Sequence, residues 1–384
     1  MLKLRPFQIQ AIRALKPLPA HVLCISPTGS GKSLIYEKMI TEVRLKTILV
    51  TPLVALARQQ KQNLEKLGVC VSVNQTPTSK TEAWIVSPES LFFGGTAHGL
   101  SHFRPDLLVV DECHCLWDWG EKFRPEFSRI PELIRGNGIR RSLWLTATLP
   151  KPAREALRAE IDGVLTEIGE FRLPENLDLH VMKVSWAERS AALLRWTKST
   201  RDAGIVFVTT RESSERVARL LNASGRRAIA YHAGMSREER QNLERQIAGE
   251  KVEIIVATSA FGMGMHHPFL KWAVLWQAPP SLLALAQTLG RVGRNHHARG
   301  NAQALVFWDY EDFKLLEWMV ENSPRRKSDL TETLYFLKAH DCRRNLLNRY
   351  FGSTPQIGNT CDRCDVCDLR SKPSEFAYSN LRLN

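Results

Sequence analysis

Apolar residues along this chain fall into short continuous runs, separated by longer stretches in which they recur every three or four positions. The runs His21–Ser26, Thr47–Thr51, Ala83–Val86, Asp106–Val110 and Ser142–Thr146 predict strands buried on both faces, as in a parallel sheet. A second set repeats the rhythm at Gly204–Val208, Arg227–Ala230, Glu253–Ala257, Trp272–Trp276 and Ala302–Phe307. Between them, Leu53–Leu67, Glu212–Asn222 and Arg237–Ile247 carry the helical period. Strands alternating with helices predict an α/β fold with two parallel-sheet domains. Gly and Pro break the pattern across Gly169–Asn176, and a polar, basic connector follows at Asn322–Ser328. The expected domains are residues 1–175, 176–322 and 323–384.

Composition narrows the class. At ~150 residues per domain, 384 residues suffice for two or three cores. A hydrophobic share of 43% with 24% charged residues excludes a mainly disordered chain. No stretch approaches the apolar length of a membrane span, and Met1–Lys16 lacks the apolar run of a signal peptide. The net charge of +13 points to a polyanionic partner, either nucleic acid or an acidic surface. Without an export signal, the eight cysteines are expected as reduced thiols or metal ligands. Cys24, Cys70, Cys113 and Cys115 are scattered, whereas Cys342, Cys361, Cys364 and Cys367 fall within 26 residues.

The chemistry begins at Pro27–Ser33, PTGSGKS, between a predicted strand and a predicted helix. Thr28, Gly29, Ser30 and Gly31 can turn backbone N–H groups toward phosphate oxygens, with Lys32 reaching the β/γ-phosphates and Ser33 ligating Mg²⁺. Ser26 stands where the strict phosphate-loop pattern has its first Gly. Asp106–His114, DLLVVDECH, is an apolar strand ending in two carboxylates, which places Asp111 to hold Mg²⁺ and Glu112 to polarise water. Together these segments predict an ATP site. In Gln287–Arg294, QTLGRVGR, Arg291 and Arg294 stand three apart on one predicted helical face, where either can stabilise the charge of a transferred phosphoryl group. Trp117, Trp119, Phe123 and Phe127 alternate with Asp118, Lys122 and Arg124, the mixture of rings and cations that holds a single strand. Cys342-x18-Cys361-x2-Cys364-x2-Cys367 supplies four thiolates, the donor set of a structural Zn²⁺ site and also of a [4Fe–4S] cluster. Arg343, Arg344 and Arg349 beside Cys342 are either DNA contacts or a solvated face.

The ordered set PTGSGKS, VTPLVAL, DECH, TAT, RESSE, YHAGM, ATSAFGMG and QTLGRVGR resembles superfamily 2 helicases, in particular the RecQ family of DNA helicases. The most specific elements are CHCLWDWGEKFRPEF, ATSAFGMG and the four-cysteine module, and the likeness runs from Leu4 to Cys367. The resemblance implies two tandem RecA-like domains plus a small helical zinc-binding module. It implies an ATP-dependent DNA helicase translocating 3′→5′ and unwinding duplexes in recombination or repair, with ATP, Mg²⁺ and Zn²⁺ as cofactors. Alternatives are an RNA helicase of the same superfamily and an annealing or clamp protein. By the same resemblance Gln8 hydrogen-bonds adenine and Arg5 stacks near it, although the aromatic usual four residues before that Arg falls on Met1. That departure implies weaker adenine discrimination or a trimmed N-terminus. His114, Trp117, Trp119, Phe123 and Arg124 inherit the coupling of DNA binding to hydrolysis, and Arg211 and Thr258 inherit strand contacts. Single-stranded and forked DNA are the expected partners, with a single-strand-binding protein besides, for a monomer in the bacterial cytoplasm at the nucleoid or in a nucleus. The chain ends 17 residues after Cys367, which leaves no room for the winged-helix and further helical domains of larger members.

Overall fold

The computed structural model describes residues 3–52, 54–92, 99–118, 129–161, 163–249, 251–258, 261, 269–293, 301–320, 324–355 and 360–367. The chain divides into two compact units, Met1–Arg172 with Phe351–Ser353, and Leu173–Tyr350 with Thr354–Asn384.

In the first unit, β1 (Ala20–Ile25), β2 (Thr47–Val50), β3 (Val71–Val73), β4 (Ala83–Val86), β5 (Leu107–Val110), β6 (Arg141–Thr146) and β7 (Leu165–Gly169) form one sheet in the order β3-β4-β2-β5-β6-β1-β7. Every pairing is parallel. The central strands are buried along their whole length, which is why they read as unbroken apolar runs. On one face Val22, Cys24, Leu49, Val109, Leu143 and Leu145 meet Ile35, Tyr36 and Met39 of the helix Ser33–Thr41 in a single core. Phe171 and Phe351 stack at 4.1 Å between centroids in the same unit.

The second unit holds β8 (Leu177–Lys183), β9 (Gly204–Phe207), β10 (Ala228–Tyr231), β11 (Ile254–Ala257), β12 (Trp272–Leu275) and β13 (Ala302–Trp308), ordered β10-β11-β9-β12-β13-β8 and again all parallel. The helices Trp186–Ser199 and Arg211–Ala223 bury Leu193, Val217 and Leu221 against Val206, Val274 and Phe307. A Cβ at Gly204 would lie 2.0 Å from the Trp272 ring, so the close strand-to-indole approach demands glycine there.

Three strands escape the sequence reading, β3, β7 and β8, and all three lie at sheet edges. β7 alternates buried and exposed positions, and β8 runs from buried to exposed, so neither presents a continuous apolar run. β3 is only three residues long.

Past the sheets, the helices Tyr310–Val320, Pro324–Lys338 and Arg343–Tyr350 lead to the cysteine loop. That loop is bonded to the edge strand: Leu179 N–H donates to Arg363 C=O at 2.9 Å and Asp365 N–H donates to Leu179 C=O at 3.0 Å. Arg363 also pairs with Asp178 at 3.0 Å. Arg343 and Arg344 are neither solvated nor on an open surface, being 5% exposed each. Arg343 pairs with Asp365 and donates to Phe336 C=O. Arg344 donates to Pro174 C=O at 2.7 Å and to Leu177 C=O. Planar guanidinia with five donors tie one helix to several backbone carbonyls. Arg349 is exposed. Among the described residues no helix is long and apolar enough to cross a membrane.

Candidate nucleotide and metal sites

The first site is built where β1 gives way to the helix Ser33–Thr41. Gly29 and Gly31 adopt φ of +79° and +82°, a region that side-chain-bearing residues avoid. They shape the loop so that Ser30 N–H bonds back to Pro27 C=O at 3.1 Å, while Ser26 Oγ donates to Ser30 Oγ at 2.9 Å. Thr28 is half-buried within the same turn. The Lys32 ammonium donates to Ser26 C=O at 2.7 Å and to Pro27 C=O at 3.2 Å, so it lies over the loop. Ser33 opens the helix and shares a hydrogen bond with Glu37. The helix N-terminus and the loop amides together favour an anion.

Gln8 reaches this loop from the helix Pro6–Ala14. Its Nε2 donates to Gly31 C=O at 2.7 Å, and its Oε1 accepts from Arg5 N–H at 2.7 Å. The Gln8 side chain therefore braces the phosphate loop, a role beyond the adenine contact expected of it. Arg5 is exposed beside it.

At the carboxyl end of β5, Asp111 and Glu112 follow four fully buried residues. Asp111 Oδ1 accepts from the Glu112 N–H at 3.0 Å, and Oδ2 accepts from Gln60 Nε2 at 2.7 Å. Burial, with the Glu112 charge adding to it, pushes the Asp111 carboxyl up to about 7, against the pull of Lys32 and His114. Two adjacent acids so placed are short of positive charge, and a divalent cation would supply it. Glu112 holds φ at +51°, a strained conformation for a residue with a side chain. Strain of this kind survives only where the surroundings over-determine it.

Those surroundings are legible bond by bond. His114 Nδ1 lies 3.3 Å from Glu112 Oε2 and 3.1 Å from Thr146 Oγ1. Thr146 Oγ1 already donates to Thr148 C=O at 2.9 Å, and a carboxylate only accepts, so Nδ1 carries the proton. The imidazole thereby joins the acid at the end of β5 to the Thr146–Thr148 turn at the end of β6. Nε2 lies 3.6 Å from Cys115 Sγ. Trp117 is half-buried in the short helix Cys115–Asp118, its N–H donating to His114 C=O at 2.9 Å.

In the second unit, Arg291 is half-buried just after the helix Leu282–Leu289, its N–H donating to Thr288 C=O at 3.1 Å. Arg211 opens the helix Arg211–Ala223 and packs on Gly234, where a Cβ would approach its guanidinium to 2.9 Å. Thr258, buried just past β11, donates its N–H to Tyr231 C=O at 3.2 Å. Trp119, Phe123, Arg124 and Arg294 lie outside the described residues.

Two residues that motif reading passed over stand at the first site. Gln60, 5% exposed, comes from the helix Val54–Lys66, and Tyr36, 1% exposed, from Ser33–Thr41. The available signal was a polar residue at a core position, since Gln60 lies between buried Ala57 and Leu64 at helical spacing.

The second site is the cysteine cluster. The Sγ atoms of Cys342, Cys361, Cys364 and Cys367 all lie within 4.8 Å of one another. Cys342 immediately precedes the helix Arg343–Tyr350. Hydrogen bonds from the Cys342 and Cys361 thiols, with backbone donors from Arg343 and Cys367, hold Cys364 well below the usual thiol range. Four convergent sulfurs, one of them already drawn toward thiolate, fit a tetrahedral zinc ion.

Three family models match the chain: DEAD/DEAH box helicase over residues 5–156, Helicase conserved C-terminal domain over 187–296, and RecQ zinc-binding over 310–368. The ATP-dependent DNA helicase RecQ of Pasteurella multocida is 28% identical over 367 residues, covering 90% of this chain and 57% of that protein. The RecQ of Bacillus subtilis is 26% identical, covering 95% and 64%, and the ATP-dependent DNA helicase Q5 of Rattus norvegicus is 28% identical, covering 98% and 43%. The chain thus spans less than two thirds of the length of these curated relatives. Among solved structures, S. cerevisiae Dbp5 bound to RNA and ADP BeF3 matches with a TM-score of 0.63 at 17% identity, covering 83% of this chain and 87% of that one. Mycobacterium smegmatis helicase Lhr bound to ssDNA and AMP-PNP matches with a TM-score of 0.60 at 20% identity, covering 91% and 53%. These likenesses establish the two RecA-like sheets. With both motor models and the zinc model matched in order along one chain, this protein belongs to the RecQ family of helicases.

Proposed function

We propose that the chain is the motor of an ATP-dependent DNA helicase that moves 3′→5′ along single-stranded DNA and unwinds duplexes in recombination or repair. The observation that carries this reading is the half-buried Asp111–Glu112 pair at the end of β5, in the same sheet as the β1 strand that leads into the glycine-rich loop. In this reading Thr28, Gly29, Ser30 and Gly31 cradle the phosphates and Lys32 neutralises the β/γ-oxygens. Ser33 and Asp111 hold Mg²⁺, which when bound offsets phosphate charge. Glu112, kept in place by His114, orients and accepts a proton from the attacking water. Arg291 and Arg294 supply positive charge as the terminal phosphoryl group departs. Arg5 and Gln8 serve the adenine.

His114, Trp117, Trp119, Phe123 and Arg124 relay strand occupancy to Glu112, while Arg211 and Thr258 bear on the strand backbone. Zn²⁺ on Cys342, Cys361, Cys364 and Cys367 holds the module together. Domains at 1–175, 176–322 and 323–384, a monomeric state, contact with a single-strand-binding protein and residence at a nucleoid or in a nucleus complete the reading.

The test is unwinding of 3′-tailed, 5′-tailed and blunt duplexes with ATP and Mg²⁺, alongside phosphate release stimulated by single-stranded DNA or RNA. The expected outcome is release stimulated by DNA, unwinding of the 3′-tailed substrate, and loss of both in Lys32→Ala. Stimulation by RNA alone would make this an RNA helicase, and no phosphate release would make it a clamp.

A further inference from the structure

The acid that ends β5 is held from a direction that no motif of the chain describes. Gln60 comes from the helix Val54–Lys66 and is 5% exposed. Its Nε2 donates to Asp111 Oδ2 at 2.7 Å. Because a carboxylate only accepts, the amide must present its NH2 group to Asp111, which turns Oε1 the other way. Oε1 is buried and has no hydrogen-bond partner among the described residues. Leaving a buried carbonyl without a donor is costly, so a donor belongs there. Behind it the fully buried Tyr36 phenol oxygen accepts from the same Gln60 NH2 group and is close enough to Asp111 to feel its charge. The amide is thus packed from behind and pinned at one end, with one acceptor left over beside the metal ligand.

We propose that Gln60 is a positioning residue for the divalent metal: Nε2 sets the orientation of the Asp111 carboxylate, and Oε1 accepts a hydrogen bond from a water of the metal's hydration shell. The inference rests on the reading of Asp111 as a Mg²⁺ ligand. Mg²⁺ dehydrates reluctantly and keeps several waters, so an acceptor for one of them belongs in such a site. Partners in this position conventionally shift metal affinity by ~10–100-fold when removed. Gln60 touches neither nucleotide phosphate nor reacting water in this scheme, and Tyr36 acts only through Gln60.

Gln60→Met and Gln60→Leu both delete the amide while keeping an apolar body that suits a buried helix face. The probe is Mn²⁺ in the presence of a non-hydrolysable ATP analogue, its binding read by electron paramagnetic resonance. The parallel readout is the Mg²⁺ concentration for half-maximal DNA-stimulated ATP hydrolysis. Both variants are expected to weaken Mn²⁺ binding by ~10–100-fold and to raise the Mg²⁺ midpoint in step. Affinity for single-stranded DNA without nucleotide, the melting profile and the zinc content stay at parental values. A merely structural role would move the melting profile and leave the metal midpoint alone. Metal affinity within about two-fold of the parent in both variants overturns the proposal. Failure of the unaltered protein to bind Mn²⁺ with nucleotide is a different result, and overturns the ATP-site reading beneath it.

Discussion

At the scale of single residues, the most consequential pair outside the nucleotide site is Arg189 with Asp312, both fully buried. The guanidinium donates twice to the carboxylate, at 2.9 Å each, and its Nε donates to Val184 C=O at 3.2 Å. Asp312 also accepts from the N–H groups of Ala278 and Asp309, at 2.9 and 3.0 Å. The other face of the guanidinium lies 4.4 Å from the Trp186 ring. Every polar atom of the pair is used, so burial costs little as long as both partners remain. Removing one leaves an uncompensated charge, an effect of about 3–5 kcal/mol. Arg189→Met is therefore expected to lower the unfolding free energy of the second unit by that amount in urea titrations. Adding Asp312→Leu should return part of the loss, because the stranded carboxylate is then gone. A single variant as stable as the parent would show that the carboxylate finds other partners.

At the scale of elements, the cysteine loop acts as an added half-strand on β8, an edge that would otherwise present unpaired backbone groups. Metal at the four sulfurs fixes the loop, and the loop in turn satisfies Leu179. Chelation is expected to speed hydrogen exchange at the Leu179 amide while leaving Val206, in the sheet centre, protected. The thiols give a second readout. Cys70 is the exposed cysteine, whereas Cys24 is pushed up to about 11 by burial and Cys113 also well above the ordinary range. A thiol reagent should titrate one fast group in the zinc-loaded protein and four more after chelation. Unchanged Leu179 exchange on chelation would separate the metal from the strand. The same elements mark how far sequence reading reached. Central strands and the phosphate loop were legible because burial on both faces and positive φ at glycine leave few residue types to choose from. Edges β3, β7 and β8 were not, since partial exposure dilutes the apolar run. Gln60 was hard to single out for a related reason: it is one of three Gln in a polar helix, and its core spacing carries no mark of the carboxylate it meets 51 positions away. Arg343 and Arg344 misled in the other direction, because a charged pair on a short helix reads as surface until the carbonyls of Phe336, Pro174 and Leu177 are in place.

At the scale of the whole molecule, the net charge of +13 sets how the two ligands differ in their response to salt. A single strand carries a phosphate per nucleotide, and on the proposed reading several are neutralised at once, so binding would release counterions, with log affinity falling by roughly 0.7 per phosphate contact per decade of salt. The nucleotide site is built differently. Loop amides, a helix N-terminus and Lys32 are concentrated at one end of one sheet, with Gly29 and Gly31 already at positive φ in the proposed phosphate loop. Interactions at such contact distances lie well inside a Debye length of roughly 10 Å at 0.1 M salt and are screened less than the extended field. Between low and moderate salt, affinity for an oligothymidylate is therefore expected to fall much more steeply than affinity for a fluorescent ATP analogue at fixed free Mg²⁺. Parallel slopes for the two ligands would mean that DNA is held by a compact site rather than along an extended basic path. A flat DNA slope would remove the polyanion from the meaning of the charge altogether.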